Sequence, residues 1–175
     1  MLFRVCPILL LLSLAACGSG GSGGNYVGGT VALECAPFAR ALSGVRLSGD
    51  AADWWYEADG RYARSQAPSI GSVLVLRRSG RLPSGHVAVV SQVVGEREVL
   101  VTQANWVHHR VSEDQPVIDV SAANDWSLVR MWWPPVGQMG VGEYSAFGFI
   151  RSDRPASHDE LIAATPRAIR LAENE

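Results

Sequence analysis

Cys35, His86 and Gln103 have the residue types that nucleophilic chemistry on a carbonyl requires. A thiol attacks only as its thiolate, and a free cysteine titrates near ~8.5, so at neutral pH it needs help. Cys35 opens the run "CAPFARALSG", which reads as a short helix with Pro37 in its first turn and Gly44 at its stop. Unpaired N–H groups and the helix dipole at that end favour a negative sulfur. The remaining help must come from a histidine elsewhere in the fold. His86 is the natural choice, because it opens a strand directly after "LPSG", where a loop hands over to a sheet. His108 and His109 are adjacent and point to opposite sides of any strand, and His158 lies in a polar C-terminal segment. In "TQANW", Gln103 and Asn105 are two apart and project to one face of a strand. Across a hairpin from "HVAVV", that face presents an amide oxygen to His86, which would fix the tautomer and ring angle of the imidazole. Gln103 is the first choice for that role, with Asn105 as support or substitute. Taken alone, Cys35 reads equally as a small buried apolar residue.

Cysteine arithmetic sharpens the point. The chain has three cysteines. Arg4, the apolar run "VCPILLLLSLA" and the small residues after it read as an export signal over residues 1–17, too short to span a bilayer. "LAAC" at 14–17 resembles the lipobox of bacterial lipoproteins, in which the cysteine is lipidated; a plain secretory signal is the alternative. On the lipoprotein reading Cys6 leaves with the signal and Cys17 carries lipid. Gly18 in place of aspartate then favours an outer membrane facing the periplasm. Residues 18–29, rich in glycine and serine, form a flexible tether. Cys35 is left alone in an oxidising compartment, where structural cysteines come in pairs.

Stepping along the rest of the chain, residues 30–150 read as one domain and 151–175 as a polar, weakly helical and peripheral tail. Asp50 looks like the N-cap of a second helix, "AADWWYEADG". β-branched runs at 72–76, 86–94, 99–106, 116–120 and 126–133 predict strands, with "GERE" joining the second to the third. Helices first and an antiparallel sheet after them make an α+β arrangement. Net charge is −2 with no block of lysine or arginine, which argues against nucleic acid as a partner. No metal-ligand spacing, serine elbow or phosphate loop is present, so no cofactor is expected.

The helix-opening Cys35, "PSIGSVLVL", "GHVAVV" and "QANW" together resemble the CHAP family of cysteine- and histidine-dependent amidohydrolases and peptidases, over about residues 25–133. The resemblance implies a papain-like fold with N-terminal helices packed on an antiparallel sheet. It also implies cleavage of amide bonds in peptidoglycan, as an endopeptidase or amidase, with Cys35, His86, Gln103 and Asn105 as the catalytic set. Where the family usually has Glu-x-Asn-Trp, this chain has Gln103; where it commonly has glutamine before the cysteine, this chain has Glu34, expected to face solvent. Trp54, Trp55 and Trp106 are the residues put forward to line a substrate groove, although Trp106 and Trp132 also read as core. Tyr26 is a further residue that could shape an oxyanion site. The alternative to an enzyme is a catalytically weak module that binds cell wall or a scaffold protein. In either case the expected state is a monomer.

Overall fold

The computed structural model describes residues 26–154 and 156–175. The lipobox, Cys17 and most of the tether therefore lie outside the described residues. Six strands form a closed antiparallel ring: β3 (Val73–Leu76), β4 (His86–Gly95), β5 (Glu98–Ala104), β6 (Val111–Asp119), β7 (Leu128–Trp133) and β8 (Gln138–Ile150). Each pairs with the next, and β8 returns to β3. Short strands β1 (Tyr26–Val27) and β2 (Arg64–Ser65) add to β6 and β8. The α+β class stands, and the sheet is a barrel.

The alternation of β3 and β4 builds two apolar layers. Leu74, Leu76, Ala88 and Val90 point into the barrel with Val101, Val117, Met131 and Phe149. Val73, Val75, Val87 and Val89 point outward, onto Phe38, Leu42 and Trp54. Both faces being covered explains why these strands read as continuous apolar runs rather than as alternation. α1 (Cys35–Ser43) packs on β4 and β5 and ends as expected at Gly44, whose left-handed φ of 78° closes the helix onto Arg40 O.

Four expectations need correction. The second helix is only a 3-10 turn, Ala51–Asp53, running into one turn of α2 (Trp54–Glu57). Asp50 makes no cap; with Asp53 it holds the guanidinium of Arg78 on the loop before β4, at 2.9 and 2.7 Å. β8 went unread because "QMGVGEYSAFGFI" carries three glycines and no β-branched run, and its place is set by partners distant in sequence. The C-terminal segment is no peripheral tail. Ser157 and Glu160 form a capping box, and the helix they start, α3 (His158–Ala172), buries Leu161, Ala168, Ile169 and Ala172 against the α1 layer.

Leu161→Ala should therefore cost about 2–5 kcal/mol, the range for deleting a buried leucine side chain. Urea titration of the two proteins checks this, since a side chain on a peripheral tail would change stability by no more than ~0.5 kcal/mol.

Candidate active site

His86 begins β4 at the barrel rim, and the backbone before it dictates where it can be. Gly85 has φ 74°, and a Cβ there would lie 2.6 Å from the Cβ of Ala52 and 2.7 Å from Leu76 O. Only glycine lets the loop press this closely onto the 3-10 turn. The ring that follows is 4% exposed. Its Nε2–H donates to Gln103 Oε1 at 2.9 Å, which leaves Nδ1 for the thiol of Cys35. Gln103 is placed by register: Val90 stands opposite Val101, so Gln103, two residues on, shares the face of Ala88 and His86. Behind the imidazole lies Trp106, its ring centroid 5.1 Å away and its Nε1–H donating to Trp132 O at 3.0 Å.

Cys35 comes to this point from the other layer, as the first residue of α1. Burial opposes its thiolate, but the charge of His86, a hydrogen bond from that ring and another from the Val87 N–H outweigh it, so the thiol titrates below its ordinary value. Burial likewise opposes a charged His86, and the charge and hydrogen bond of Cys35, with the Gln103 bond, raise its pKa all the same. Two groups that burial alone would push towards neutrality shift one another the opposite way, the thiol down and the imidazole up. No side chain caps the first turn of α1; Pro37 has no N–H and that of Phe38 bonds Glu34 O, which leaves the Cys35 and Ala36 N–H groups uncapped at the sulfur end.

Asn105 is placed differently from expectation. Asn105 has φ 60° and leaves the extended alternation that would have set it beside Gln103. Its Nδ2 donates to Glu34 Oε2 at 2.9 Å, and its Oδ1 accepts from His109 N at 3.0 Å. Both ends of its amide are engaged away from His86, so it is no substitute for Gln103. Glu34 faces solvent as expected; the Asn105 bond steadies it there, and its charge adds to the forces raising both the thiol and the imidazole.

A cleft of about 430 Å³ opens over the sulfur, lined by Glu34, Cys35, Pro37, Arg40, Asp50 and Ser84 among others. A second cleft of similar size, about 440 Å³, lies between α1 and α3 among four arginines and has no cysteine or histidine in its lining, so the candidate site is the first. None of the three tryptophans put forward for substrate is among the residues lining that first cleft. Trp54 is wholly buried in the core beneath the helices, and Trp106 serves as the wall behind His86. Trp55 stacks on Phe147 at 5.7 Å, with Tyr56 edge-on to the same ring at 5.4 Å. Tyr26 lies under the guanidinium of Arg110 at 4.2 Å. His108 and His109 stack on each other, and His158 bonds Asp114. Sequence reasoning missed the Val87 N–H, a backbone donor with no side-chain signal, and the Glu34–Asn105 bond, which joins positions 71 apart.

Comparison with known proteins agrees with the resemblance drawn from the motifs. The family model described as the CHAP domain matches residues 24–105, a stretch that holds Cys35, His86 and Gln103. No curated protein matches the chain. Among solved structures, one titled "The crystal structure of Ly7917" aligns over 77% of this chain and 90% of its own, at 14% identity and a TM-score of 0.31. That likeness is too slight to carry an argument.

The geometry makes a prediction about the thiol itself. Alkylation of Cys35 by iodoacetamide, followed by mass spectrometry of the Cys35 peptide, should inflect well below ~8.5 in the wild type. In His86→Ala the inflection should rise to that value or beyond, because burial is then uncompensated. An unchanged profile would mean that the imidazole does not hold the thiolate.

Proposed function

Starting from a chain that carries a CHAP domain over residues 24–105, we propose a cysteine-dependent peptidoglycan hydrolase that cuts amide bonds as an endopeptidase or amidase. CHAP domains are in general hydrolytic, with peptidoglycan as substrate. The observation that supports the cysteine mechanism is Cys35, first residue of α1 and open to a cleft, meeting a buried His86 held by Gln103 at 2.9 Å, a pairing that lowers the thiol and raises the imidazole. Perturbed groups paired at a cleft are what nucleophilic catalysis calls for, and a binding module has no use for them.

In the proposed reaction Cys35 Sγ attacks the amide carbon and a C–S bond forms. The Cys35 and Ala36 N–H groups at the start of α1 receive the developing oxyanion. His86 passes its Nδ1 proton to the departing nitrogen as the C–N bond breaks. It then takes a proton from water, which attacks the thioester and frees the carboxylate product and the thiol. Gln103 is a positioning residue; it holds the ring through Nε2 and contributes no charge. A papain-like arrangement, with the thiol on a helix and the histidine on the barrel, belongs to the same proposal.

Digestion of purified peptidoglycan, with released ends identified by mass spectrometry, tests the activity and names the bond. Cys35→Ser should fold and release nothing. Gln103→Glu should extend activity to higher pH: a negative charge beside the imidazolium raises its pKa further, and the active pair persists until that proton is lost. The acidic limb, governed by the thiol, should move little. Wild-type rates from Cys35→Ser would overturn the mechanism.

We further propose that Cys17 carries lipid and holds the enzyme at the periplasmic face of an outer membrane, on the motif "LAAC" followed by Gly18. Cys17→Ala should move the protein from the membrane fraction to the soluble one. A soluble wild type with an unmodified N-terminus would refute the anchor.

A further inference from the structure

Gln103 raises a question that a glutamate would not. A carboxylate presents the same oxygen whichever way it turns, whereas a carboxamide has two unlike ends. Turned over, Gln103 would aim its NH2 at the Nε2–H of His86, donor against donor, and would favour the tautomer with the proton on Nδ1. Something must decide which end faces the ring. Gln103 is 1% exposed, and its Nε2 has no hydrogen-bond partner among the described residues. A buried amide donor left in that state is costly, so its acceptor should be close by.

One buried acceptor on the neighbouring strand is in the same condition. Gln115 is wholly buried, and its Oε1 also lacks a partner. It stands opposite Val101 on β6, while Gln103 stands opposite Ser112. Val101 and Val117 point into the barrel, so Gln103 and Gln115 point there too, as diagonal neighbours roughly 7–8 Å apart at the backbone, within reach of two long side chains. The spacing is uneven: three steps on β6 match two on β5. The surplus residue makes a bulge with Asp114 at φ 52°, held by Ser91 Oγ at 2.7 Å and His158 Nε2 at 3.0 Å. The same bulge orients Gln115, whose Nε2–H donates to Glu113 O at 3.2 Å and so leaves Oε1 as the free end.

We propose that Gln115 is a positioning residue of the active site: its Oε1 accepts from Gln103 Nε2 across one water, and thereby selects the Gln103 orientation that receives the His86 proton. The relay runs from the bulge carbonyl through two amides to the imidazole. It rests on the hydrolase reading for its purpose, but the ring and the thiol report it without any substrate.

The test is a double-mutant cycle on the full chain, combining Gln115→Met with Gln103→Glu. The readouts are the ¹⁵N shifts of the His86 ring and the pH profile of Cys35 alkylation. With Gln103 in place, Gln115→Met should mix the two ring tautomers and slow alkylation at neutral pH by roughly 3- to 10-fold, about the worth of one hydrogen bond. With Glu at 103 there is no wrong end to choose, and the same change should stay within about 2-fold. Thermal melts establish folding, and Gln115→Leu replaces Gln115→Met if the longer side chain unfolds the barrel. Equal effects in both backgrounds, or none in either, would overturn the proposal. So would the coupling appearing with Ser112→Ala instead, since Ser112 would then be the acceptor. Failure of the hydrolase reading looks different: intact thiol and tautomer signals with no fragments released from peptidoglycan.

Discussion

A half-buried thiol and a buried imidazole can favour their charged forms only while each remains the other's partner. Burial by itself pushes both towards neutrality, and here it is the largest single influence on each. The thiol is nonetheless lowered and the imidazole raised, because their mutual attraction, one shared hydrogen bond and two further ones, from Val87 N–H to sulfur and from Nε2–H to Gln103, exceed that burial. Such a balance tolerates little displacement, since a buried charge that loses its partner is strongly destabilising. Much of the fold can be understood as a means of keeping two residues from different layers at fixed separation.

Closure of the barrel is the first of those means. An open sheet ending at β7 would leave β3 as an edge beside the strand that carries His86. β8 pairs with β3 on one side and β7 on the other, so no strand of the ring can twist independently. The second means lies on the outer face, where α1 is wedged between β4 and β5 below and α3 beside it. Leu161 and Ile169 of α3 complete the layer that contains Phe38 and Leu42 of α1. The helix that carries Cys35 is thus held by the C-terminal segment, over a hundred residues away in the chain. His158, at the start of that segment, also bonds the Asp114 bulge of β6, so one helix terminus touches both layers of the site.

What the sequence disclosed follows from how local each signal is. Pro37 and Gly44 bracket α1, and strands with β-branched runs were recognisable because both faces are buried. Gln103 could be assigned to His86 since a two-residue offset on a strand is fixed by the pleat. Asn105 failed by the same rule: its positive φ ends the pleat, and nothing in "QANW" announces that. β8 and the packing of α3 were hidden because their stability comes from distant partners, with glycines at 140, 142 and 148 in the former and a largely polar surface on the latter. Tryptophan content was a poor guide to the cleft; Trp54 and Trp106 serve packing, and their size suits that role.

The two departures from the family pattern make sense when taken together. The resemblance calls for a carboxylate at 103 and an amide at 34; this chain has the amide at 103 and the carboxylate at 34. The site keeps one negative side chain, moved from inside the barrel to the exposed shoulder beside the thiol. Inside, a charged group at 103 would sit among Ala88, Val90 and Val101, where desolvation is costly. At 34 the carboxylate keeps its contact with water, is steadied by Asn105 Nδ2, and still helps to hold the proton on His86. It also works against the thiolate, an effect that a carboxylate behind the ring, farther from the sulfur, would exert less. The exchange therefore trades some thiolate stabilisation for a neutral barrel interior. It shifts the task of orienting the imidazole from charge to hydrogen-bond direction. Direction is useful only if the amide cannot turn over, and this makes the buried polar atoms behind Gln103 as consequential for the site as the bond in front of it.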